Sequence, residues 1–87
     1  MPAERLSVTV ISPERAIFEG EADAVVAPAW DGEVGILRGH APMMVLLGSG
    51  DVRIRRGDLE QRFSVSGGFL QVVDDVVTVL SERTEAA

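Results

Sequence analysis

Glycine and proline divide the first 68 residues into segments that are too short for helices of ordinary length. All nine Gly and all four Pro lie there, and both residue types disfavour the interior of a helix. The segments between them are rich in Val, Ile and Thr, which favour strands. Short strands with frequent turn signals are typical of all-β domains, and a chain of 87 residues has room for one domain only.

Several of these segments alternate between apolar and polar residues with a period of two. In the first, Leu6, Val8 and Val10 alternate with Ser7 and Thr9. Successive side chains of a strand point to opposite faces of the sheet. This pattern is therefore typical of a sandwich in which each sheet has one buried and one solvent-exposed face. It therefore predicts mostly antiparallel strands. The same pattern recurs in 51–55, 62–66 and 77–79.

Two segments are apolar at every position and so have no polar face. They are 24–27 and 43–47, the second of which consists of two Met, one Val and two Leu. We expect each segment to be buried on both sides or to be covered on one side by another protein.

Turn-forming residues mark three connections along the chain. Gly48–Asp51 and Arg56–Asp58 contain the Gly and Asp that favour tight turns, and Asp74-Asp75 separates two Val-rich runs as the tip of a hairpin. The last residues are polar and carry no strand pattern. We therefore predict one domain over 1–82 and a polar C-terminal tail over 83–87.

The composition argues against several classes of function. The net charge of −6 repels phosphate, so we expect no binding to nucleic acid. The chain has no Cys, which excludes disulfides and thiolate-bound zinc. The N-terminus does not resemble a signal peptide. The longest uncharged stretch, 39–50, is too short and too broken to insert into a membrane.

Residues suited to catalysis or metal binding are sparse. His40 is the only His, and it has no neighbours at a spacing typical of metal ligands. Asp31 and Glu33 lie beside glycines, where acidic residues often serve a turn. We therefore predict no catalytic, cofactor-binding or metal site. A small hydrolase that pairs His40 with Asp31 or Glu33 is kept as an alternative.

Trp30 and the arginine cluster each allow two interpretations. Trp30 lies next to a turn and is either a buried anchor or an exposed contact residue for a partner. A free-standing sandwich that binds a small molecule or carbohydrate near Trp30 is a second alternative function. Arg53 and Arg55 share one face of a strand, which is either solvated or in ionic contact with an acidic partner.

Six groups of residues, taken in order, make the chain recognisable. Together they span about residues 6–82, and the pair GEVGIL and GHAP is the most specific part. The sequence resembles the epsilon subunit of bacterial F-type ATP synthases. The matching stretches are VISPE with FEG, DGEVGIL, GHAP, GDVRI, SGGFLQV and VTVL.

The resemblance implies a fold and a role. The fold would be a flattened β-sandwich of about ten short, mostly antiparallel strands. The role would be that of a non-catalytic subunit of the central stalk, which docks the gamma subunit onto the c-ring and helps couple ion flow and rotation to ATP synthesis. It also implies no cofactor and a peripheral location on the cytoplasmic face of the bacterial plasma membrane.

The resemblance further implies contact residues. In the family, one loop with the Asp-Gly-Glu and Gly-His-Ala-Pro motifs faces the c-ring. The contacts with the c-ring would be Asp31, Glu33, Arg38 and His40. The contacts with gamma would be Ser12, His40, Met43 and Met44.

Two departures from the family pattern bear on these expectations. Arg38 stands where Pro or Asn is usual and adds a positive charge to the loop. Family members usually continue with a linker and two helices, for which 82–87 leaves no room. We therefore expect neither inhibition of ATP hydrolysis by that helical part nor ATP sensing.

Overall fold

The computed structural model describes residues 5–86, which form ten strands and no helix. The predicted all-β sandwich is confirmed. The predictions that concern 1–4 and Ala87 lie outside the described residues. The strands are β1 (Leu6–Ile11), β2 (Ala16–Ala22), β3 (Ala24–Ala29), β4 (Gly32–Leu37), β5 (Met43–Leu46), β6 (Ser49–Arg56), β7 (Leu59–Ser66), β8 (Phe69–Val73), β9 (Val76–Leu80) and β10 (Arg83–Ala86).

The strands form two five-stranded sheets. Sheet A has the order β2-β1-β9-β8-β5, and sheet B has the order β10-β7-β6-β3-β4. Every pair of neighbours is antiparallel except β1 and β9, which run parallel in the middle of sheet A. The chain passes from sheet B to sheet A between β4 and β5 and returns between β5 and β6.

The core lies between the two sheets and is almost entirely aliphatic. The predicted strand faces are confirmed, because the apolar member of each alternating pair points inward. Burying one such side chain stabilises the fold by about 1.5–3 kcal/mol. The buried apolar residues are Leu6, Val8, Val10, Ala22, Val25, Ala27, Ile36, Leu47, Val52, Ile54, Phe63, Val65, Leu70, Val72, Val77 and Val79.

Gly68 allows β8 to approach the end of β9. Its φ is +103°, and a Cβ atom added there would overlap the carbonyl oxygen of Leu80 and lie 2.7 Å from the Cα of Ser81. The carbonyl of Gly68 also accepts a hydrogen bond of 2.9 Å from the amide of Leu47. Backbone atoms cannot move aside as a flexible side chain can, so this position admits only glycine.

Two of the predicted turns are confirmed and one is wrong. Turns occur at Gly57-Asp58 and at Asp74-Asp75. The segment Gly48–Asp51 is not a turn, because Ser49 already begins β6 and pairs with Ser66 of β7. The Gly and Ser there favour a turn locally, but pairing with a long neighbouring strand outweighs that preference.

The predicted polar C-terminal tail contains a strand over most of its length. Arg83–Ala86 forms β10, which pairs antiparallel with β7 along the edge of sheet B. An edge strand is bonded on one side only, so it can be polar and still be held by its backbone hydrogen bonds. The domain therefore extends at least to Ala86.

Candidate partner-binding surfaces

Strand β4 separates the residues that we expected on one loop. Asp31 lies in the turn before β4, whereas Arg38 and His40 follow it. Six strand residues span about 20 Å. The expectation of a single loop is therefore wrong, and the hydrolase that pairs His40 with Asp31 does not fit this geometry.

The two acidic side chains are accessible at the β3–β4 turn. Glu33 accepts a hydrogen bond of 3.2 Å from Arg53, yet its side chain remains 64% exposed. Asp31 is also exposed. The carboxylate of Glu33 is already paired with Arg53 and lies at the far end of β4 from His40, which excludes its use with His40 in the hydrolase alternative.

The loop of residues 38–42 connects β4 of sheet B to β5 of sheet A. The amide of His40 donates to Leu37 O at 3.2 Å, and the amide of Gly39 donates to Oδ1 of Asp75 at 2.7 Å. Nδ1 of His40 lies 2.8 Å from the carbonyl oxygen of Ala41. His40 is half-buried, so its ring is held beside its own loop and remains partly accessible.

Sheet A carries an outward surface that is largely aliphatic, and we call it the apolar face. The strand registers place Leu46, Phe69, Leu80 and Ile11 in one row across four strands. The side chains of Met44 and Leu46 on the edge strand β5 are 65% and 64% exposed. A row of three polar residues, Gln71, Thr78 and Thr9, crosses this face in register with Met44. The apolar residues of the face are Ile11, Met44, Leu46, Phe69, Val73, Val76 and Leu80.

The two methionines of β5 lie on opposite faces. Met44 belongs to the apolar face, whereas Met43 points inward and packs against the core. The segment 43–47, which is apolar at every position, is therefore covered by the core on one side and exposed on the other. A partner on the apolar face would contact Met44 rather than Met43.

Ser12 follows β1 at one corner of the apolar face. Its hydroxyl donates to Arg15 O at 3.0 Å and accepts from the amide of Arg15 at 3.3 Å. These bonds hold the turn between β1 and β2. The Ser12 side chain is half-buried, so it is partly available at this corner.

The outward face of sheet B is charged and paired within the chain. Arg53 and Arg55 share this face, as predicted, and Arg55 lies 3.6 Å from Glu60. Arg62 donates to Glu60 at 3.0 Å, and this bond, followed by the nearby charges of Arg62 and Arg55, lowers the pKa of Glu60. These arginines have acidic partners in their own chain, which favours the solvated interpretation over contact with an acidic partner.

Trp30 is an exposed residue at the β3–β4 turn. Its side chain is 70% exposed, so the interpretation as a buried anchor is wrong. Trp30 lines none of the main cavities among residues 5–86, so the concave pocket that the carbohydrate or small-molecule alternative predicts near it is not seen there. The amide of Trp30 donates to Leu46 O at 3.0 Å, so the backbone of Trp30 lies next to the end of β5.

Within residues 5–86, no three His, Asp or Glu side chains converge as ligands for a metal ion. The same residues contain no helix long and apolar enough to span a membrane. The described residues thus present one face rich in apolar side chains, one charged face and two polar ends of β4.

Sequence comparison identifies the family. Residues 5–87 match the family described as ATP synthase, Delta/Epsilon chain, beta-sandwich domain. The chain belongs to this family. It is 44% identical over 83 residues to the ATP synthase epsilon chain of Leptospira borgpetersenii serovar Hardjo-bovis. It is 46% identical over 79 residues to the ATP synthase epsilon chain of Chromohalobacter salexigens.

The chain matches only part of these epsilon chains. The alignments cover 95% and 90% of this chain, but 65% of the Leptospira protein and 56% of the Chromohalobacter protein. The chain therefore spans less than two thirds of the length of these relatives. The shared part is the β-sandwich domain.

The fold also matches chains in solved ATP synthase structures. A chain in the mitochondrial ATP synthase of Euglena gracilis superposes with a TM-score of 0.89 at 23% identity, over 97% of this chain and 54% of that one. A chain in the central stalk and c-ring of the Tetrahymena thermophila enzyme gives 0.79 at 15% identity, over 98% and 69%. At these identities the superpositions establish a shared fold.

Proposed function

We propose that this delta/epsilon-type domain is a non-catalytic part of the central stalk of an F-type ATP synthase. In this role it docks the gamma subunit onto the c-ring at the cytoplasmic face of the bacterial plasma membrane, and it helps couple ion flow and rotation to ATP synthesis. Membership in the family supports the assignment. The observation that carries it is the apolar face of sheet A, which presents exposed Met44 and Leu46 to a partner.

Gamma is the partner that we assign to the apolar face. Exposed apolar side chains grouped on one face of a small domain and bordered by polar residues are typical of a protein interface. Two residues that the resemblance implies for gamma, Ser12 and Met44, lie at opposite sides of this face. Three strand spacings separate them, which is about 15 Å. A partner surface of ordinary size spans that distance.

The c-ring is the partner that we assign to the acidic end of β4. Asp31 and Glu33 are exposed there and offer carboxylates to a polar loop. The opposite end of β4 lies about 20 Å away, on the side of the domain where the chain enters β5. We therefore assign Arg38 and His40 to the edge of the gamma contact, because their loop leads directly into β5.

Truncating the exposed side chains of β5 is expected to weaken gamma binding. In the double variant Met44→Ala and Leu46→Ala, the inward side chains of the strand are unchanged, so the fold should persist. Loss of two exposed apolar contacts should weaken binding about tenfold or more. Calorimetric titration of the domain into purified gamma, without nucleotide, measures the change.

A matched control for this experiment is Leu59→Ala. Leu59 is 72% exposed, as accessible as the two β5 residues, but it lies at the start of β7 in sheet B. This variant should bind gamma like the wild type. Equal weakening by Leu59→Ala, or none by the β5 variant, would contradict the assignment of the apolar face.

Single cysteines are expected to distinguish the two ends of β4. The chain has no Cys, so each introduced thiol is the only one in the domain. In the assembled enzyme, Asp31→Cys should form a disulfide with a cysteine placed in the polar loop of subunit c, detected on a non-reducing gel. Arg38→Cys, at the other end of the strand, should not. A disulfide from Arg38→Cys alone would reverse our assignment of the two ends.

A further inference from the structure

The loop of residues 38–42 is fastened to sheet A by one carboxylate. The amide of Gly39 donates to Oδ1 of Asp75 at 2.7 Å. Asp75 belongs to the turn between β8 and β9 in sheet A, whereas the loop leaves β4 in sheet B. A backbone amide that donates to a carboxylate makes a charge-assisted hydrogen bond, which is stronger than a neutral one. The bond therefore joins the two sheets at this loop before β5 begins.

Asp75 is itself held in place by its backbone. Its carbonyl oxygen accepts a hydrogen bond of 2.9 Å from the amide of Ser7 at the start of β1. Asp74 and Asp75 have φ angles of 49° and 62°, a left-handed conformation that suits a two-residue hairpin turn. Asp75 is half-buried and Asp74 is exposed. Of these two adjacent aspartates, Asp75 contacts the loop of residues 38–42 through its carboxylate.

We infer that Asp75 is a positioning residue for partner binding. It fixes the loop of residues 38–42, and with it Arg38 and His40, before gamma arrives. A loop that is already ordered loses less conformational entropy on binding, so removing the bond should weaken binding even if Asp75 does not touch the partner. This inference rests on the proposed docking to gamma.

The chain offers a matched pair of variants for the test. Asp75→Gly removes the carboxylate and tolerates the positive φ, so the hairpin turn should persist. Asp74→Gly makes the same change in charge and flexibility one residue earlier without removing the bond. Asp75→Asn keeps an oxygen that can accept from the Gly39 amide, and it should restore part of the effect.

Two measurements on these variants test separately whether the Gly39–Asp75 hydrogen bond orders the loop and whether the ordered loop strengthens binding to gamma. Hydrogen exchange of the Gly39 amide, followed by NMR on the free domain, should be about tenfold faster in Asp75→Gly than in the wild type. Calorimetric binding to gamma should be about tenfold weaker in Asp75→Gly. Asp74→Gly should resemble the wild type in both measurements, and Asp75→Asn should lie between.

Three results would overturn the inference, and they are distinguishable. Unchanged exchange of the Gly39 amide in Asp75→Gly would show that the bond does not order the loop. Faster exchange with gamma binding equal to that of Asp74→Gly would show that the ordered loop does not contribute to docking. A wild-type domain that fails to bind gamma would overturn the docking proposal and the role of Asp75 in it together.

Discussion

The substitution Gly68→Ala is expected to destabilise the domain severely or to abolish its fold. The new methyl group would overlap the carbonyl oxygen of Leu80 and crowd the Cα of Ser81. The alanine would also have to adopt a φ of +103°, which residues other than glycine rarely tolerate. A domain of this size is stable by about 4–13 kcal/mol, and a backbone clash with strain should remove several kcal/mol of that. Thermal unfolding followed by circular dichroism should show either no cooperative transition or a midpoint lowered by more than about 10 °C.

Gly57→Ala is the control for that experiment. Gly57 also has a positive φ, +60°, but an added Cβ would meet no atom within 4 Å. Only the left-handed backbone is then penalised, at about 1–2 kcal/mol. If the two variants unfolded alike, the close approach at Leu80 would not be the cause of the effect.

The substitution Val52→Asp is expected to unfold the domain as well. Val52 is fully buried between the sheets, and an aspartate there is either an unpaired charge or a protonated acid without a partner. Either form should cost several kcal/mol, roughly 3–5. The protein should be expressed in insoluble form or lack a cooperative transition in thermal unfolding.

The matched control is Leu59→Asp in the same hairpin. It makes the same aliphatic-to-acid change at a side chain that is 72% exposed, and Leu59 lies opposite Arg56 in the register. Its stability should stay within about 0.5 kcal/mol of the wild type. A folded Val52→Asp protein would mean that the strand faces of β6 are assigned backwards.

The strand faces were predictable from the sequence because alternation is a local property. Val52 and Ile54 point inward, and so do Phe63 and Val65, as the period of two indicates. The start of β6 at Ser49 was not predictable, since Gly and Ser favour a turn and only pairing with β7 makes them a strand. The polar β10 was missed for the same reason.

The partner surfaces were predictable in part. The apolar segment 43–47 indicated a strand that is either buried on both sides or covered by a partner. The row from Leu46 to Ile11 was not predictable, because it depends on pairing between distant strands. The family resemblance implied one loop for Asp31 and His40, whereas the structure places the extended strand β4 between them. The contact of Asp75 with Gly39 joins residues 36 positions apart, so no local sequence pattern could predict it.

The parallel pairing of β1 with β9 bears on how this chain acquires its structure. Ser7 lies opposite Val76, so the contact closes a loop of 69 residues (76 − 7). On the ribosome, β1 can pair with β2 early, but its other edge has no partner until nearly the whole chain has emerged. Domains dominated by such distant contacts fold in milliseconds to seconds rather than microseconds. During that interval the free edge of β1 is open to pairing with other chains, which exposes the nascent chain to aggregation.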